Sequence, residues 1–253
     1  MIYGLYLSAA GIISSSYRQD VLANNLANSE TTGFKRNLAY FKERPTALQE
    51  RNRAGDWSDP TLEQLGGGLL TSDTQVDNSQ GEFENTGNPL DMAIEGDGYF
   101  AVTVGGKMRL TRNGSMTTNR DGDLILANGH NDRVLDADQK PIKLDSAGKV
   151  EVAKDGTITQ DGRPVARVGV FDVSDRAKLQ QIGGTLLSYN GPEALHAGAG
   201  TVRSEFLEHA NVDPTNELTE LMETQRQLEA NANMIRYQDT TLQRLVNDVG
   251  KIS

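Results

Sequence analysis

Apolar positions recur at helical spacing along both ends of the chain, and in short runs through its middle. At the N-terminus Ile2, Leu5, Ala9, Ile12, Ser16, Gln19, Ala23 and Leu26 fall on alternating three- and four-residue steps. That is the a/d spacing of a coiled-coil seam. One half of the seam is Leu5, Ile12, Gln19 and Leu26, and the other is small: Ala9, Ser16 and Ala23. Small residues let a partner helix approach closely. The pattern predicts a helix over 1–28, roughly 40 Å long at 1.5 Å per residue. Asn24, Asn25 and Asn28 weaken the helix near its end, and Gly33 lies beyond it.

The C-terminal end repeats the helical signal. Asp213 and Pro214 suit an N-cap and a first helical position. From there Leu221, Leu228, Ile235, Leu242 and Val249 recur at seven-residue steps. Their expected companions are Leu218, Gln225, Ala232, Asp239 and Val246, of which Gln225 and Asp239 are polar. The predicted helix is about 55 Å long.

Between the ends the periodicity changes. Residues 34–75 read as an extended connector, broken by Pro45, Pro60 and Gly66-Gly67-Gly68, with a short helix expected around Thr46–Asn52. Residues 76–209 read as β-rich. Turn-forming dipeptides recur there at Asp121-Gly122, Asn128-Gly129, Asp155-Gly156 and Asp161-Gly162. Short apolar or β-branched runs separate them, such as Leu124–Leu126 and Val165–Val173. The predicted class is α+β. Long N- and C-terminal helices pair as an antiparallel coiled coil, and the central domain is built of short antiparallel strands. The domains expected are 1–33 with 210–253 (helical, for assembly), 34–75 (connector) and 76–209 (β-rich).

Both apolar stripes are narrow and interrupted. One pair of such helices buries little area at roughly 25 cal/mol per Å2, against an ordering cost of ~1–2 kcal/mol per residue. The ends therefore call for further helix faces from neighbouring copies, which is folding coupled to association. Periodicity alone fits an ordinary two-helix packing within one domain equally well.

Composition narrows the classes of function. The chain has 253 residues, 35 Asp and Glu against 25 Lys and Arg, and a net charge of −10. Such an acidic chain repels phosphate backbones, so nucleic acid is a poor partner. No run approaches the ~20 apolar residues of a membrane span. The N-terminus lacks a basic region, its first cation being Arg18, so a cleavable secretory signal is not expected. There is no cysteine, which removes disulfides, thiol catalysis and cysteine metal sites. His130, His196 and His209 form no HExxH-type spacing, and neither a nucleophile elbow nor a phosphate-binding loop occurs. Glu95 and Asp97 flank Gly96, and Asp121 and Asp123 flank Gly122. Carboxylates so placed are turn residues, and the closing Glu of a calcium loop is absent. Neither an enzyme nor a cofactor protein is expected.

Four motifs then carry a resemblance. Ala23-Asn24-Asn25-Leu26-Ala27-Asn28 followed by Gly33-Phe34-Lys35 resembles the N-terminal signature of flagellar rod and hook proteins. Asn88-Pro89-Leu90-Asp91, with Gly96, Gly98 and Tyr99-Phe100, is similar to a second block of that family, Tyr99 standing where Phe is more usual. Leu110–Met116 and Asn211–Asp213 with Thr224-Gln225-Arg226 resemble two more, although Pro214-Thr215 is unusual there. The size resembles FlgG-like or FlgF-like rod members more than the larger hook protein.

The resemblance implies a structural subunit of the basal-body rod. Such subunits are exported through the flagellar type III apparatus without a cleaved signal peptide and stack into a hollow, periplasm-spanning shaft. Their partners are further copies and other axial proteins, with neither cofactor nor membrane insertion. Leu5, Ile12, Leu26, Leu221, Leu228, Ile235, Leu242 and Val249 are then the candidate assembly residues. The alternatives are a hook or junction member of the same family, and a soluble carbohydrate-binding or enzymatic β domain with helical arms.

Overall fold

The structure is a computed structural model that describes residues 2–45, 68–145, 148–192 and 195–250. The short helix expected around Thr46–Asn52 lies outside these residues. The protein has an N-terminal helix, a C-terminal helix and a central β-rich region of antiparallel strands. Helix α1 spans Ile2–Ala27 and helix α2 spans Pro214–Gly250. Pro214 opens α2, where its missing N–H costs no intrahelical bond.

The chain divides into two compact units. The first joins residues 1–26, 38–74 and 214–253, and the second joins 27–37 and 75–213.

In the first unit α1 and α2 accompany a two-stranded antiparallel ribbon. Phe41–Glu43 pairs with Leu69–Thr71 in the register Phe41 to Thr71. Tyr17 of α1 meets Phe41 edge to face, with ring centroids 6.1 Å apart, and donates its hydroxyl to the Ser72 carbonyl at 2.9 Å. Arg44, at the end of the ribbon, donates to the Tyr6 hydroxyl and lies 5.9 Å from the Tyr6 ring centroid, so the ribbon is fastened to the helix at both Tyr17 and Tyr6.

The second unit is built on a nine-stranded antiparallel sheet. Tyr99–Val104 lies at its centre and pairs with Lys107–Thr111, Arg133–Val134 and Val170–Asp172. Its side chains alternate between two cores, as the two-residue period of a strand requires. Phe100 and Val102 join Met92, Ile94, Leu124 and Leu126. Tyr99 and Ala101 join Leu110, Phe171, Leu179 and Leu187.

The expected turns are present. Gly122, Gly129, Gly156 and Gly162 all take positive φ, between 77° and 81°. Asp161-Gly162 closes a two-residue hairpin between Thr157–Gln160 and Arg163–Arg167. Both of its residues have positive φ, which matches the right-handed twist of the flanking strands.

The run Val165–Val173 is not one strand. It divides into Arg163–Arg167 and Val170–Asp172, which belong to different sheets. Gly169 stands at the break, where a Cβ would lie 2.5 Å from the Asp136 carbonyl oxygen. Only glycine admits that approach.

Burial pushes the Tyr99 hydroxyl up to about 12. The folded-state value is raised, so the neutral phenol stabilises fully below its ordinary value. That contribution is lost as pH rises through the interval from 10 to 12. Tyr99→Phe is expected to flatten the alkaline loss of stability across that interval, read as the urea midpoint of unfolding at each pH.

Candidate functional site

Two features answer to the motifs found in the sequence. One is the pair of terminal helices. The other is a buried ion cluster in the β-rich unit where separate motif blocks meet.

On α1, Gly4, Ser8, Gly11, Ser15, Arg18, Leu22 and Asn25 step by four and three residues, and none is exposed. On α2, Glu217, Leu221, Thr224, Leu228, Asn231, Ile235 and Gln238 do the same. A Cβ at Gly4 would lie 2.7 Å from Gln238 Nε2, and one at Gly11 would lie 2.7 Å from Asn231 Nδ2. Arg18 pairs with Glu220 at 3.0 Å, and Asn25 Nδ2 donates to Glu217 Oε2 at 3.2 Å. Contacts thus step back along α2 as they step forward along α1.

This line differs from the expected seam. In α1 the contact line runs through the glycines and serines, not through Leu5, Ile12 and Leu26. Those three side chains are half-buried beside it, while Ser16 and Ala23 are exposed. In α2, Leu221, Leu228, Ile235 and Leu242 are half-buried as part of the line. Their companions are Glu217, Thr224, Asn231 and Gln238, whereas Leu218 and Val246 are 48% and 71% exposed. The physical reason is size: glycine and serine permit a closer backbone approach than leucine does. The side chain of Val249 lies outside the described residues.

Because small and polar groups make up much of the line, several large apolar residues stay outside it. Tyr6, Leu7 and Ile13 on α1 are exposed, as are Leu218, Met222, Met234, Tyr237, Leu245 and Val246 on α2. Leucine at position 11 would crowd Asn231. Gly11→Leu is expected to cost about 1–3 kcal/mol, read as helical circular dichroism lost at lower urea, with partial recovery in Gly11→Leu/Asn231→Ala.

The ion cluster centres on Glu208, which is fully buried. Lys35 Nζ donates to Glu208 Oε1 at 2.7 Å, and Arg112 Nη1 donates to Glu208 Oε2 at 3.3 Å. Lys35 also donates to the Ser79 carbonyl at 2.7 Å. Arg112 donates to the carbonyls of Ile94 and Gly96 at 3.0 and 2.6 Å, and its guanidinium lies 5.3 Å from the Tyr99 ring centroid. Burial pulls the Lys35 amine below its ordinary range, while the Glu208 carboxylate opposes that shift. Two cations, one anion and the surrounding carbonyls make one network, in which Arg112 Nε alone of the guanidinium nitrogens has no hydrogen-bond partner among the described residues.

Backbone contacts complete the join. Gly33 N donates to the Glu208 carbonyl at 2.7 Å, and Arg36 N donates to Asn211 Oδ1 at 2.7 Å. Asn211 Nδ2 reaches the carbonyls of Asp77 and Ser79. The segment that follows α1 is therefore clamped to the segment that precedes α2.

The motif residues take distinct places. Asn25 is fully buried, Asn24 and Ala27 are exposed, and Asn28 is half-buried. Phe34 is fully buried. Gly33 has φ of 68°, and a Cβ there would lie 2.3 Å from Asn113 N. Asn88 and Pro89 are exposed, while Leu90 is half-buried. The Asn88 carbonyl accepts from Asp91 N at 3.0 Å, and Asp91 accepts from the Thr86 hydroxyl at 2.7 Å. That turn launches the core strand Met92–Glu95. Gly96 and Gly98, both at positive φ, turn the chain into Tyr99. Sequence reasoning missed Glu208 as the centre of the cluster. Its partners Lys35 and Arg112 lie 173 and 96 positions away, so no local pattern could reveal it.

Among the described residues no group of three or more acidic or histidine side chains is placed to hold a metal. No helix of the described chain is long and apolar enough to cross a membrane.

Known proteins match this arrangement along nearly all its length. Residues 5–35 match the family described as flagella basal body rod protein. Residues 93–162 match the flagellar hook protein FlgE/F/G D1 domain, and 203–248 match the flagellar basal body rod FlgEFG protein C-terminal region. The flagellar basal-body rod protein FlgG of Bacillus subtilis (strain 168) is 30% identical, across 98% of this chain and 99% of its own. The rod protein FlgF of Caulobacter vibrioides is 31% identical across 98% of both chains. FlgG from the same organism is 30% identical across 94% of this chain and 96% of its own. The chain belongs to the flagellar basal-body rod protein family. FlgG and FlgF relatives are similar to it at nearly the same identity.

Proposed function

We propose that this chain is a structural, non-enzymatic subunit of the bacterial flagellar basal-body rod that assembles through its terminal helices. The observation that carries the reading is the apolar surface the helix pair leaves uncovered. The line between α1 and α2 mixes Leu22, Leu221, Leu228 and Ile235 with small and polar residues, while Tyr6, Ile13, Met234, Tyr237 and Val246 remain exposed. A helix pair built only to stabilise its own chain would leave less apolar surface outside.

In this reading α1 and α2 form an antiparallel coiled coil within the subunit. The assembly residues are Leu5, Ile12, Leu26, Leu221, Leu228, Ile235, Leu242 and Val249, which border or extend the contact line. Other copies and other axial proteins cover them as the subunits stack into a hollow shaft. The subunit reaches that place through the flagellar export apparatus, with its N-terminal helix retained because α1 is part of the shaft.

The carbohydrate-binding reading would need an open polar pocket. The cavity of about 650 Å3 lined by Glu95, Lys154, Arg203 and Phe206 is the best candidate. There the Arg203 guanidinium already stacks 4.2 Å from the Phe206 ring centroid and lies 3.9 Å from Glu95. Its charge and its aromatic face satisfy each other, which disfavours a sugar.

Deleting residues 1–28 or 214–253 is expected to abolish swimming and the chain's presence in purified basal bodies. Normal swimming by both deletion strains would refute the rod-subunit reading.

A further inference from the structure

The turn dipeptide Asn128-Gly129 lies between Leu124–Leu126 and Arg133–Val134 in the β-rich unit, and the rod-subunit reading makes no use of it. Its groups are held closely. Asn128 Oδ1 accepts from the His130 N–H at 3.0 Å, and Asn128 Nδ2 donates to Asp132 Oδ2 at 2.7 Å. The Asn128 backbone carbonyl lies 3.0 Å from His130 Nδ1. A carbonyl oxygen only accepts, so the ring nitrogen carries the proton there. Asn128, Gly129 and His130 are exposed, whereas Asp132 is buried. A cavity of about 460 Å3, lined in part by Asn128, His130 and Asp132, gives water room beside the amide.

These contacts favour one reaction, attack on the asparagine amide carbon by the backbone nitrogen of the next residue. The His130 ring draws electron density from the peptide that joins Asn128 to Gly129, which makes the Gly129 N–H more acidic. The His130 N–H points at Oδ1, where negative charge develops as the new bond forms. No neighbouring atom lies within 4 Å of the place a Cβ at Gly129 would take, so the turn has room to pivot. The chain holds two other Asn-Gly pairs, and both lack these features. Gly114 is buried, with the Met92 carbonyl oxygen 1.4 Å from where its Cβ would stand, so Asn113 cannot pivot toward it. Asn190 is exposed, but a Cβ at Gly191 would lie 2.1 Å from the Tyr189 hydroxyl, and Pro192 has no N–H to offer Asn190 Oδ1.

We propose that Asn128 is a spontaneous deamidation site, at which the Gly129 nitrogen displaces the side-chain amide. That nitrogen passes its proton through water to the departing amide and bonds to Asn128 Cγ. The Cγ–Nδ2 bond breaks, and ammonia leaves. Water then opens the five-membered succinimide at either carbonyl, giving aspartate or isoaspartate. Asp132 makes the change felt. A donor, Nδ2, is replaced by a carboxylate oxygen facing the buried Asp132 carboxylate, and like charges at that range repel. The Asp132 carbonyl accepts from Leu126 N at 2.9 Å, so the repulsion loosens the end of Leu124–Leu126. The chemistry is independent of assembly.

Full-length protein incubated in neutral buffer, digested and mapped by mass spectrometry tests this. Peptides containing residue 128 are expected to gain ~1 Da, as a mixture of aspartate and isoaspartate. Their rate is expected to exceed those at Asn113 and Asn190 by at least roughly tenfold. His130→Ala keeps the backbone N–H and removes the ring donor. It is expected to slow conversion at 128 several-fold, with the rate at Asn190 and the urea midpoint unchanged. Asn128→Asp is expected to lower the urea midpoint, and Asn128→Asp/Asp132→Asn to restore it. No conversion at 128, equal conversion at 113 or 190, or an unaltered rate in His130→Ala would overturn the proposal. An unchanged midpoint in Asn128→Asp would overturn the loosening of the strand end.

Discussion

Replacing Glu208 with alanine is expected to destabilise the β-rich unit by about 3–5 kcal/mol, because it strands two buried cations. Lys35 and Arg112 are 3% and 4% exposed. Neither reaches solvent without breaking the carbonyl bonds that hold it to Ser79, Ile94 and Gly96. The Gly81 N–H, which donates to Glu208 Oε1 at 3.0 Å, loses its acceptor as well. For a unit of this size, a loss of about 4 kcal/mol lowers the melting temperature by roughly 8–16 °C. Glu208→Gln keeps the shape but removes the charge, and its loss is expected to lie between wild type and alanine. Replacing all three ions with apolar residues of similar volume is expected to recover most of the stability. Calorimetry of the four proteins checks this. Equal losses in the alanine and triple variants would show that the carboxylate balances nothing.

Gly33→Ala is expected to produce the second large effect, about 3 kcal/mol, from a strained left-handed backbone and forced crowding. At φ of 68° the new Cβ would lie 2.3 Å from Asn113 N and 2.4 Å from the Arg112 carbonyl carbon. Both are backbone atoms and cannot rotate away. Relief requires moving the segment 31–35 off its neighbour, which pulls Lys35 from Glu208 and weakens the Gly33 N–H bond to the Glu208 carbonyl. The two substitutions therefore act on one network. Their double variant is expected to lose less than the sum of the single losses, and a double-mutant cycle by denaturant unfolding reads that coupling. Full additivity would place Gly33 and Glu208 in separate networks.

The same cluster explains why motif blocks far apart in the chain belong together. Lys35 comes from the first block, Arg112 from the third, and Glu208 stands three residues before Asn211 of the fourth. The second block contributes the Ile94 and Gly96 carbonyls that hold Arg112. All four thus contribute to one network in the β-rich unit. It concerns geometry and stability, with no chemistry attached.

The sequence by itself determined the elements that depend on near neighbours. Two helices, the turns at Asp121-Gly122 and Asp161-Gly162, and the β-rich middle all follow from periodicity and backbone preference, which act over a few residues. The apolar half of the α2 line was legible for the same reason. Tertiary structure alone decided which helix face turns inward. Leu5 and Gly4 are adjacent on α1, and both lie on seven-residue repeats. The choice fell to the glycine because Asn231 and Gln238 need close approach, and no count of apolar residues contains that. The burial of Glu208 was likewise closed to the sequence. A charge can be buried only when counter-charges arrive, and these come from positions 35 and 112, brought together by the completed fold.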